Sequence, residues 1–515
     1  HFREVLFWPV QMMPLAGTRN AQTYWELLAQ GGKDNPWRRL KDRFQADGLD
    51  FDERHYKEFV TFLPYVQRFI YGETRGHISD NASDPPGGSA IKIFRRCGVS
   101  ALRLILREGE APFTLTVEHI ELWFFDDINV AFLKVELSAA NLPFAWVCDM
   151  LYRFGRAYPT GWDEDGHGKH NVHRAEWLSA DGAVLAVSDS DNHKKFLSYT
   201  REHRSPGISE HWDFLLRPLV LDPSKETGIL RYRQIEYHRM PLMAFLAVDN
   251  PRGIDRENWL RLGLVATLPP DESLPTHDPD VVEFESRYCY DRFWTYTETG
   301  PNTRFLCTGR AFLVVGDAHD DYFHDKARGI LAQFRHQYVL LFLIAHFHRA
   351  SLLVFSNRMV DAVHDLDIRV PQSINYFRRR IYAGFEAFLR FTHRYWYHEL
   401  SERSHVQALY RLCSKHLSND SLYQEVKEDL RDMSQYLDSN TQRQQSTTIV
   451  RLTVVTTFSM IGTVATGLLG MNLIAEADAP ISTRLTYFLV TTLITALLML
   501  LAILKSKQLS SVMDM

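Results

Sequence analysis

Cysteine is scarce in this chain of 515 residues, and the five that occur are far apart with no Cys-x-x-Cys pair. This spacing argues against a disulfide scaffold and a cysteine-ligated zinc site. A basic excess is also lacking, because 63 acidic residues outnumber 58 lysines and arginines, so we expect no nucleic-acid partner. The sequence shows no P-loop, dinucleotide fingerprint or catalytic triad, and we therefore expect neither an enzyme nor an organic cofactor.

The overall composition hides two concentrated apolar segments near the C-terminus. The mean hydropathy is -0.24 and 23% of the residues are charged, as in a soluble protein. However, Leu452 to Gly470 carries no charge, and neither does Leu485 to Leu504. At 1.5 Å per residue, a helix over the first segment is about 28 Å long, close to the roughly 30 Å hydrocarbon core of a bilayer. The sequence therefore predicts two transmembrane helices, and a pair of buried core helices is the weaker alternative.

The short link from Met471 to Arg484 predicts that these helices form an antiparallel hairpin. Basic residues precede the first helix and follow the second, at the end of the hairpin opposite the link, and such residues favour the cytoplasm. We therefore expect a multi-pass protein of the plasma membrane, in a bacterium the inner membrane, with both termini cytoplasmic and the link outside. Arg484 is the exception to this charge pattern. The basic residues are Arg443, Arg451, Lys505 and Lys507.

Two helices have no interior, so a polar path across the bilayer requires several copies around an axis. Small and hydroxylated residues recur at heptad spacing on the first helix, whereas bulky aliphatic residues dominate the second. Such a face either lines a wet path or allows close helix packing. The residues of this face are Thr456, Met460, Thr463, Gly467 and Gly470.

The tripeptide Gly470-Met471-Asn472 stands at the outer end of the first helix, before a C-terminal hairpin with an acidic link. In this position the chain resembles the CorA-type magnesium transporters and their Gly-Met-Asn signature. The resemblance implies a homopentamer in the lipid bilayer that conducts divalent cations, most favourably Mg²⁺, along the electrochemical gradient. It places Gly470, Met471 and Asn472 at the outer mouth, with Gly467, Thr463, Met460 and Thr456 along the pore. The sequence after Asn472 lacks the Met-Pro-Glu-Leu-like loop common in the family, which leaves ion selectivity open.

Carbonyl oxygens such as that of Asn472 suit a hydrated magnesium ion, because this ion dehydrates reluctantly. Glu476 and Asp478 in the link would raise the local cation concentration, or they form an ordinary solvated turn. In the family, an acid on the helix before the membrane also pairs with the next subunit to hold a regulatory ion. The family's position falls close to Ser434 and Gln435 in this chain, where no acid occurs. The neighbouring acids Asp432, Asp429 and Glu425 are therefore the candidates, and a solvated acidic face is the alternative.

A stalk helix is predicted to lead into the membrane. Ser421 to Gln424 has the pattern of a capping box, and no glycine or proline occurs from there to Ile461. An apolar stripe runs along its lower part, and Asp438 to Thr448 is polar on all sides. The stripe consists of Leu422, Val426, Leu430, Met433 and Leu437.

Residues 1–320 predict a cytoplasmic α+β domain with α/β/α-like layers. Two helical arms follow in 321–420, at Tyr322–Leu366 and Gln372–Leu417. The apolar run Val339–Ile344 is predicted to be core, because charged and histidine residues follow it closely. The remaining segments are the stalk 421–451, the first transmembrane helix 452–470, the outer loop 471–484, the second transmembrane helix 485–504 and the tail 505–515. Predicted strands are Leu102–Leu106, Ile120–Phe125, Asn129–Leu137, Ile229–Tyr237, Met243–Val248 and Phe305–Val315, and predicted helices are Glu53–Arg75 and Ala145–Arg156.

A loop rich in acids and histidines follows the second of these helices. Asp163, Glu164 and Asp165 precede His167, His170 and His173, which are residue types that ligate zinc-like ions. The loop has no helical His-Glu-x-x-His frame and glycines flank His167, so the pattern favours a polar loop over a metal site.

Two alternatives to a magnesium transporter remain open. A zinc transporter, or one for another divalent cation, would share the architecture and differ only in selectivity. A membrane-anchored sensor or interaction protein would use the large N-terminal region for its function and the hairpin for assembly.

Overall fold

The computed structural model of the chain describes residues 1–13, 24–32, 35–40, 52–72, 88–125, 128–225, 227–235, 238–266, 277–295, 302–367, 370–470 and 480–513. The chain divides into two compact units, His1–Leu430 and Arg431–Met515. A mixed sheet surrounded by helices occupies the first unit, and long helical segments make up the second.

Fourteen strands of the first unit form one sheet within the described residues. The strands are β1 (Phe2–Met13), β2 (Trp37–Arg39), β3 (Ile91–Arg96), β4 (Ala101–Ile105), β5 (Phe113–Phe125), β6 (Val130–Ala139), β7 (Arg174–Leu178), β8 (Val184–Val187), β9 (Leu219–Leu221), β10 (Leu230–Gln234), β11 (Leu242–Val248), β12 (Cys289–Tyr290), β13 (Arg304–Cys307) and β14 (Ala311–Asp317). Their main order is β12-β13-β14-β11-β1-β6-β5-β4-β7-β8. The β11–β14 and β9–β10 pairs are parallel, and the other pairs are antiparallel.

Helices cover the sheet and continue to the C-terminal end of the described chain. They are α1 (Tyr24–Ala29), α2 (Glu53–Phe59), α3 (Pro64–Tyr71), α4 (Phe144–Arg153), α5 (His193–His203), α6 (Glu210–Leu216), α7 (Arg256–Leu264), α8 (Pro279–Val282), α9 (Phe284–Tyr288), α10 (Asp321–His324), α11 (Ile330–Gln333), α12 (Val339–His364), α13 (Pro371–Arg394), α14 (Ser404–His416), α15 (Asn419–Gly470) and α16 (Ile481–Met513). A 3-10 turn, Pro251–Gly253, and a π-helical turn, Phe334–Tyr338, complete the set. The predicted combination of a sheet, helices and long C-terminal helices is confirmed at this level.

Strand β1 is central and packs against helices on both faces. Successive side chains of a strand point to opposite faces. Accordingly, the ring of Phe7 lies 5.6 Å from that of Phe342 in α12, and Trp8 lies 6.5 Å from Trp212 in α6. All of β1 from Phe2 to Met12 is buried, which is typical of a strand covered on both faces. The sheet therefore has a helical layer on each side.

Strand β1 is not among the predicted strands, and Pro9 in its middle explains why. Proline lacks an amide hydrogen and is rare inside central strands. Here β1 pairs with β11 through Phe2–Leu6 and with β10 from Val10 onward, so its partner on that edge changes around Pro9. The Phe7 amide donates toward that same edge, to the Pro241 carbonyl at 2.8 Å. Because amides two residues apart point the same way, the Pro9 nitrogen faces the gap between the two partners.

Charged side chains also enter the core, on the face of the sheet that carries Phe7. Arg3 donates to Glu136 at 2.5 Å, and Arg335 from the π-helical turn donates to the same carboxylate at 3.1 Å. The Lys134 ammonium lies 3.5 Å from Glu121. Burial raises the pKa of Glu121, but Lys134 and a neighbouring arginine outweigh it and bring the pKa down to about 2. These buried charges are therefore paired across β1, β5 and β6.

Five of the predicted strands match observed ones, and the sixth is wrong in its extent. Instead of one strand from Phe305 to Val315, the chain forms the antiparallel pair β13 and β14. Gly309 in the connecting turn has a φ of +81°, a conformation that glycine adopts without strain. The Thr308 amide closes the turn on the Ala311 carbonyl at 3.0 Å.

Three predicted helices are interrupted in the structure. The helix predicted from Glu53 divides into α2 and α3, because Pro64 starts a new helix in its first turn. The second arm divides into α13 and α14, and the aromatic residues Tyr395 and Tyr397 between them are buried in the core. The first arm, predicted as one helix from Tyr322, is interrupted as well, because α10 ends at His324 and α11 begins at Ile330. Pro/Gly-rich links are also predicted at Pro85–Gly88 and near Pro269–Pro279, and most of both lies outside the described residues, which resume at Gly88 and His277.

Glu4 is a buried carboxyl group without a compensating contact. It lies on the face of β1 opposite Arg3, and neither of its carboxylate oxygens has a hydrogen-bond partner in the described part of the chain. Burial raises the pKa of Glu4 from its usual 4.5 to about 8, although Arg239 opposes the shift. The side chain is therefore protonated at neutral pH.

We predict that Glu4 makes the protein less stable as the pH rises. A carboxyl group whose pKa is raised on folding contributes stability below its unfolded pKa of 4.5, and this contribution is lost as the pH passes through about 8. The Glu4→Gln variant keeps a neutral side chain throughout. We measure the midpoint temperature of unfolding in detergent between about pH 5 and about pH 9. It should fall more steeply with rising pH in the unchanged protein than in the variant. Parallel curves for the two proteins would contradict this assignment.

Candidate functional site

Helix α15 is continuous over 52 residues and carries most of the predicted site. It begins at Asn419 and not at Ser421, so the predicted capping box is wrong. The Ser421 hydroxyl donates to the Ser418 carbonyl at 3.0 Å, and Ser418 itself has a φ of +55°. A left-handed residue therefore separates α15 from the end of α14, and the helix is two residues longer than predicted.

The base of α15 is anchored in the first unit by hydrogen bonds and stacked rings. The side-chain amide of Asn419 donates to the Ala345 carbonyl of α12 at 2.9 Å. The ring of Tyr423 is stacked 4.5 Å from Trp396 and 5.5 Å from Phe388. Since these contacts come from α12, α13 and the segment after α13, the first turns of α15 are fixed by three separate elements.

The apolar stripe of the stalk is confirmed as a buried face. Val426, Leu430 and Leu437 are almost fully buried, and Leu422 and Met433 are half-buried. The burial follows the spacing expected for one side of a helix. One side of the lower part of α15 is therefore buried, as the apolar stripe predicts.

The three candidate acids of α15 share one exposed face. Glu425, Asp429 and Asp432 follow each other at spacings of four and three residues, which places them on one side of the helix. Each side chain is exposed, and the part of the chain that the structure describes supplies no ion-pair partner to them. Within one chain they form a solvated acidic face, and their regulatory role stays a prediction.

The candidate pore residues lie on the upper part of α15. Thr456, Met460, Thr463, Gly467 and Gly470 are all exposed in the single chain. At about 100° of rotation per residue, Ala465 lies about 200° from Thr463 on the same helix. Ala465 is 1% exposed. The small and hydroxylated face is thus opposite the buried face.

The hydroxyl groups of this face donate their protons within the helix. Thr456 donates to the Thr453 carbonyl at 3.0 Å, and Thr463 donates to the Ser459 carbonyl at 2.9 Å. A hydroxyl has one proton and two lone pairs. The lone pairs that point away from the helix can therefore only accept hydrogen bonds.

Four of the predicted site residues lie outside the described residues: Met471, Asn472, Glu476 and Asp478. Helix α16 then begins at Ile481, four residues before the predicted second apolar segment. The roles of these four residues at the pore mouth stay predictions.

The apolar helices differ in how far they are buried. Ile481–Leu498 is long and apolar enough to cross a membrane, and almost none of it is buried. Leu452–Gly467 is also apolar but shorter. Ile330–His364 is also long and apolar enough to cross a membrane, but 83% of its most apolar stretch is buried inside the first unit. This burial confirms the prediction that Val339–Ile344 belongs to the core.

A second group of ligand-type side chains occurs in the first unit. The ligand atoms of His167, His173 and Asp191 all lie within 4.8 Å of one another. Sequence reasoning identified the two histidines but missed Asp191, which follows eighteen residues after His173. Only the pairing of strands β7 and β8 could have revealed that these residues meet.

Helix α15 has an anchored base and an exposed apolar upper part, and α16 is exposed and apolar over a length that can cross a membrane. Residues 320–505 match the sequence model of the CorA-like Mg²⁺ transporter protein family, whose members are embedded in membranes. The resemblance to this family is therefore confirmed for residues 320–505, from the start of α10 into α16, while residues 1–319 lie outside the match. No curated protein matches the chain in sequence.

We predict that Tyr423 is needed to hold the base of α15. Replacing Tyr423 by Ala removes both stacked contacts and leaves a cavity against Trp396, which should lower the free energy of unfolding by about 2 kcal/mol. Chemical denaturation of the purified protein measures this change. The control is Tyr56→Ala, since Tyr56 also lies in a helix but is 58% exposed. That change should stay within about 0.5 kcal/mol, and equal effects of the two substitutions would contradict the anchoring role.

Proposed function

We propose that this chain is a subunit of a divalent-cation transporter that carries Mg²⁺ across a membrane along its electrochemical gradient. The match of residues 320–505 to the CorA-like Mg²⁺ transporter protein family is the observation that carries the proposal. The matched segment includes the whole of α15 and most of α16, which are the elements that the mechanism requires. No nucleotide or organic cofactor takes part.

The cation path follows the upper part of α15. Two helices cannot shield a polar path from lipid, so copies of the chain surround an axis and each contributes the same face. The face with Thr456, Thr463 and Gly470 is the best candidate, because it is opposite the buried side of the helix at Ala465. Helix α16 is bulky and aliphatic, which suits an outer position against lipid. By resemblance the assembly is a pentamer, with both termini cytoplasmic.

The chemistry of this face suits an ion that keeps its water shell. Water bound to Mg²⁺ directs its oxygen to the ion and its hydrogens outward, so the hydrated ion is a hydrogen-bond donor. The hydroxyls of Thr456 and Thr463 have already donated their protons to the helix and act as acceptors. The Asn472 carbonyl supplies the same kind of neutral acceptor at the outer mouth. Neutral acceptors hold the ion weakly enough for release.

Acidic residues act at the two ends of this path. Glu476 and Asp478 raise the cation concentration outside the mouth. Glu425, Asp429 and Asp432 provide carboxylate oxygens on an exposed face of α15, and hard oxygen ligands suit Mg²⁺ as a regulatory ion between subunits.

We predict that purified protein in proteoliposomes takes up Mg²⁺ and that Asn472→Ala lowers the rate. The substitution removes a neutral carbonyl from each subunit, and one such contact to a charged species is worth about 1.5 kcal/mol, or roughly tenfold in rate. A magnesium-sensitive dye inside the vesicles measures uptake, and Zn²⁺ is tested in parallel. Uptake of Zn²⁺ but not Mg²⁺ would replace the magnesium assignment, and no uptake of any divalent ion by an intact oligomer would overturn the transport function.

A matched pair of threonines tests which helix lines the path. Thr463 in α15 and Thr486 in α16 are both exposed, and both hydroxyls donate to a carbonyl four residues earlier, at 2.9 and 2.8 Å. Thr463→Val should slow Mg²⁺ uptake because it removes an acceptor from the path, whereas Thr486→Val should leave uptake unchanged. The reverse result would assign the pore to α16.

A further inference from the structure

Three loops meet at one edge of the large sheet in the first unit. Glu108 follows β4, His173 precedes β7 and Asp191 follows β8. Strands β4 and β8 are both antiparallel neighbours of β7, so the ends of β4 and β8 lie beside the start of β7. The topology therefore brings together side chains that are distant in sequence.

His167 lies between two carboxylates at this edge. Its Nδ1 is 3.0 Å from an oxygen of Asp191, and its Nε2 is 3.3 Å from an oxygen of Glu108. The ring of His173 is 5.1 Å from the ring of His167. The ligand atoms of His167, His173 and Asp191 lie within 4.8 Å of one another, which leaves space for one ion between them.

Backbone contacts hold the loop of His167 in this position. The His167 amide donates to Asp163 at 2.8 Å, and the Gly168 amide donates to Asp191 at 2.9 Å. The His193 ring bonds the carbonyl of Gly166, whose φ of +92° requires glycine. The fold of the loop itself thus places the ligand-type side chains. The sequence alone favoured a polar loop over a metal site, because it does not show these contacts.

His170 does not take part, although the sequence groups it with the other two histidines. Its ring bonds the Tyr152 hydroxyl at 2.8 Å, and its backbone has a φ of +66°. The structure therefore separates the three histidines of the loop into a pair within the cluster and one outside it.

We propose that His167, His173 and Asp191 bind a transition-metal ion of the Zn²⁺ class. Two imidazole nitrogens and a carboxylate are the ligands that zinc takes at about 2.0–2.2 Å, which corresponds to about 3.4 Å between ligand atoms in a tetrahedral site. Magnesium prefers oxygen ligands and its own water, so it does not fit this set. The Glu108 carboxylate lies 3.3 Å from the other ring nitrogen of His167, a position in which carboxylates commonly support histidines that bind metals.

Zinc at this position would tie the loops after β4, before β7 and after β8 to each other. The site lies in the first unit and outside the segment that matches the CorA-like family. It therefore stands independently of the proposed cation path.

The test uses the full-length protein in detergent, stripped with a chelator and then equilibrated with Zn²⁺ in a large excess of Mg²⁺. Elemental analysis should find about one more zinc ion per chain in the unchanged protein than in the His167→Gln, His173→Gln double variant. The matched control is His170→Asn, which removes a histidine of the same loop and keeps a residue that tolerates a positive φ. It should retain the ion. Equal zinc content in all three proteins overturns the proposal.

A milder variant guards against loss of folding in the double variant. Asp191→Asn keeps the side-chain oxygen that accepts from the Gly168 amide but removes the negative charge that a metal prefers. Zn²⁺ should raise the unfolding temperature of the unchanged protein and of His170→Asn, and the rise should be lost in Asp191→Asn. If Zn²⁺ gives Asp191→Asn the same rise, or gives none to the unchanged protein, the cluster is an ion pair between His167 and its two carboxylates.

Discussion

The burial of β1 on both faces is the constraint on which the rest of the first unit depends. An exposed sheet face would need polar residues at alternate positions, and β1 has instead a nearly continuous buried sequence. Helices must therefore cover both sides, and α12 covers one of them through Phe342 against Phe7. On this face the buried charges of Arg3 and Glu136 are joined by Arg335, just before α12 begins. The packing of one strand thus fixes where α12 lies.

Helix α12 packs on β1 and also belongs to the part of the chain that matches the transporter family. Its apolar run is followed by His346, His348 and Arg349, each of which reaches a backbone carbonyl of another element. His346 bonds the turn between β13 and β14 at 3.1 Å, His348 bonds the segment after α13 at 2.5 Å, and Arg349 bonds the end of α14 at 2.7 Å. Burial lowers the pKa of His348 to about 3, so it bonds as a neutral ring. Helix α12 is apolar enough to cross a membrane, but it is buried and supports the base of α15 through the hydrogen bond from Asn419 to Ala345.

The sequence predicted those features that depend on local pattern and missed those set by distant neighbours. The buried stripe of α15 and five strands of the sheet follow directly from apolar periodicity. Strand β1 was missed because it contains Pro9. A proline is tolerated there because the neighbouring strand changes from β11 to β10 around it, and the local sequence does not show this change. The interruption between α13 and α14 was missed because its aromatic residues also suit a helix. Asp191 joins His167 only through the pairing of β7 with β8.

The proposed ion sites of this chain differ in chemistry, and the difference limits what each can sense. A path lined by neutral acceptors binds the outward hydrogens of a water shell, so it selects a hydrated ion and not a bare one. Ligation by His167 and His173 requires the ion to exchange water for imidazole, which Mg²⁺ does reluctantly and zinc does readily. An ion at the histidine cluster therefore cannot report the magnesium concentration. The carboxylates of Glu425, Asp429 and Asp432 have the oxygen ligands that magnesium prefers, so of the proposed sites it is α15, and not the edge of the sheet, that suits feedback from a transported magnesium ion.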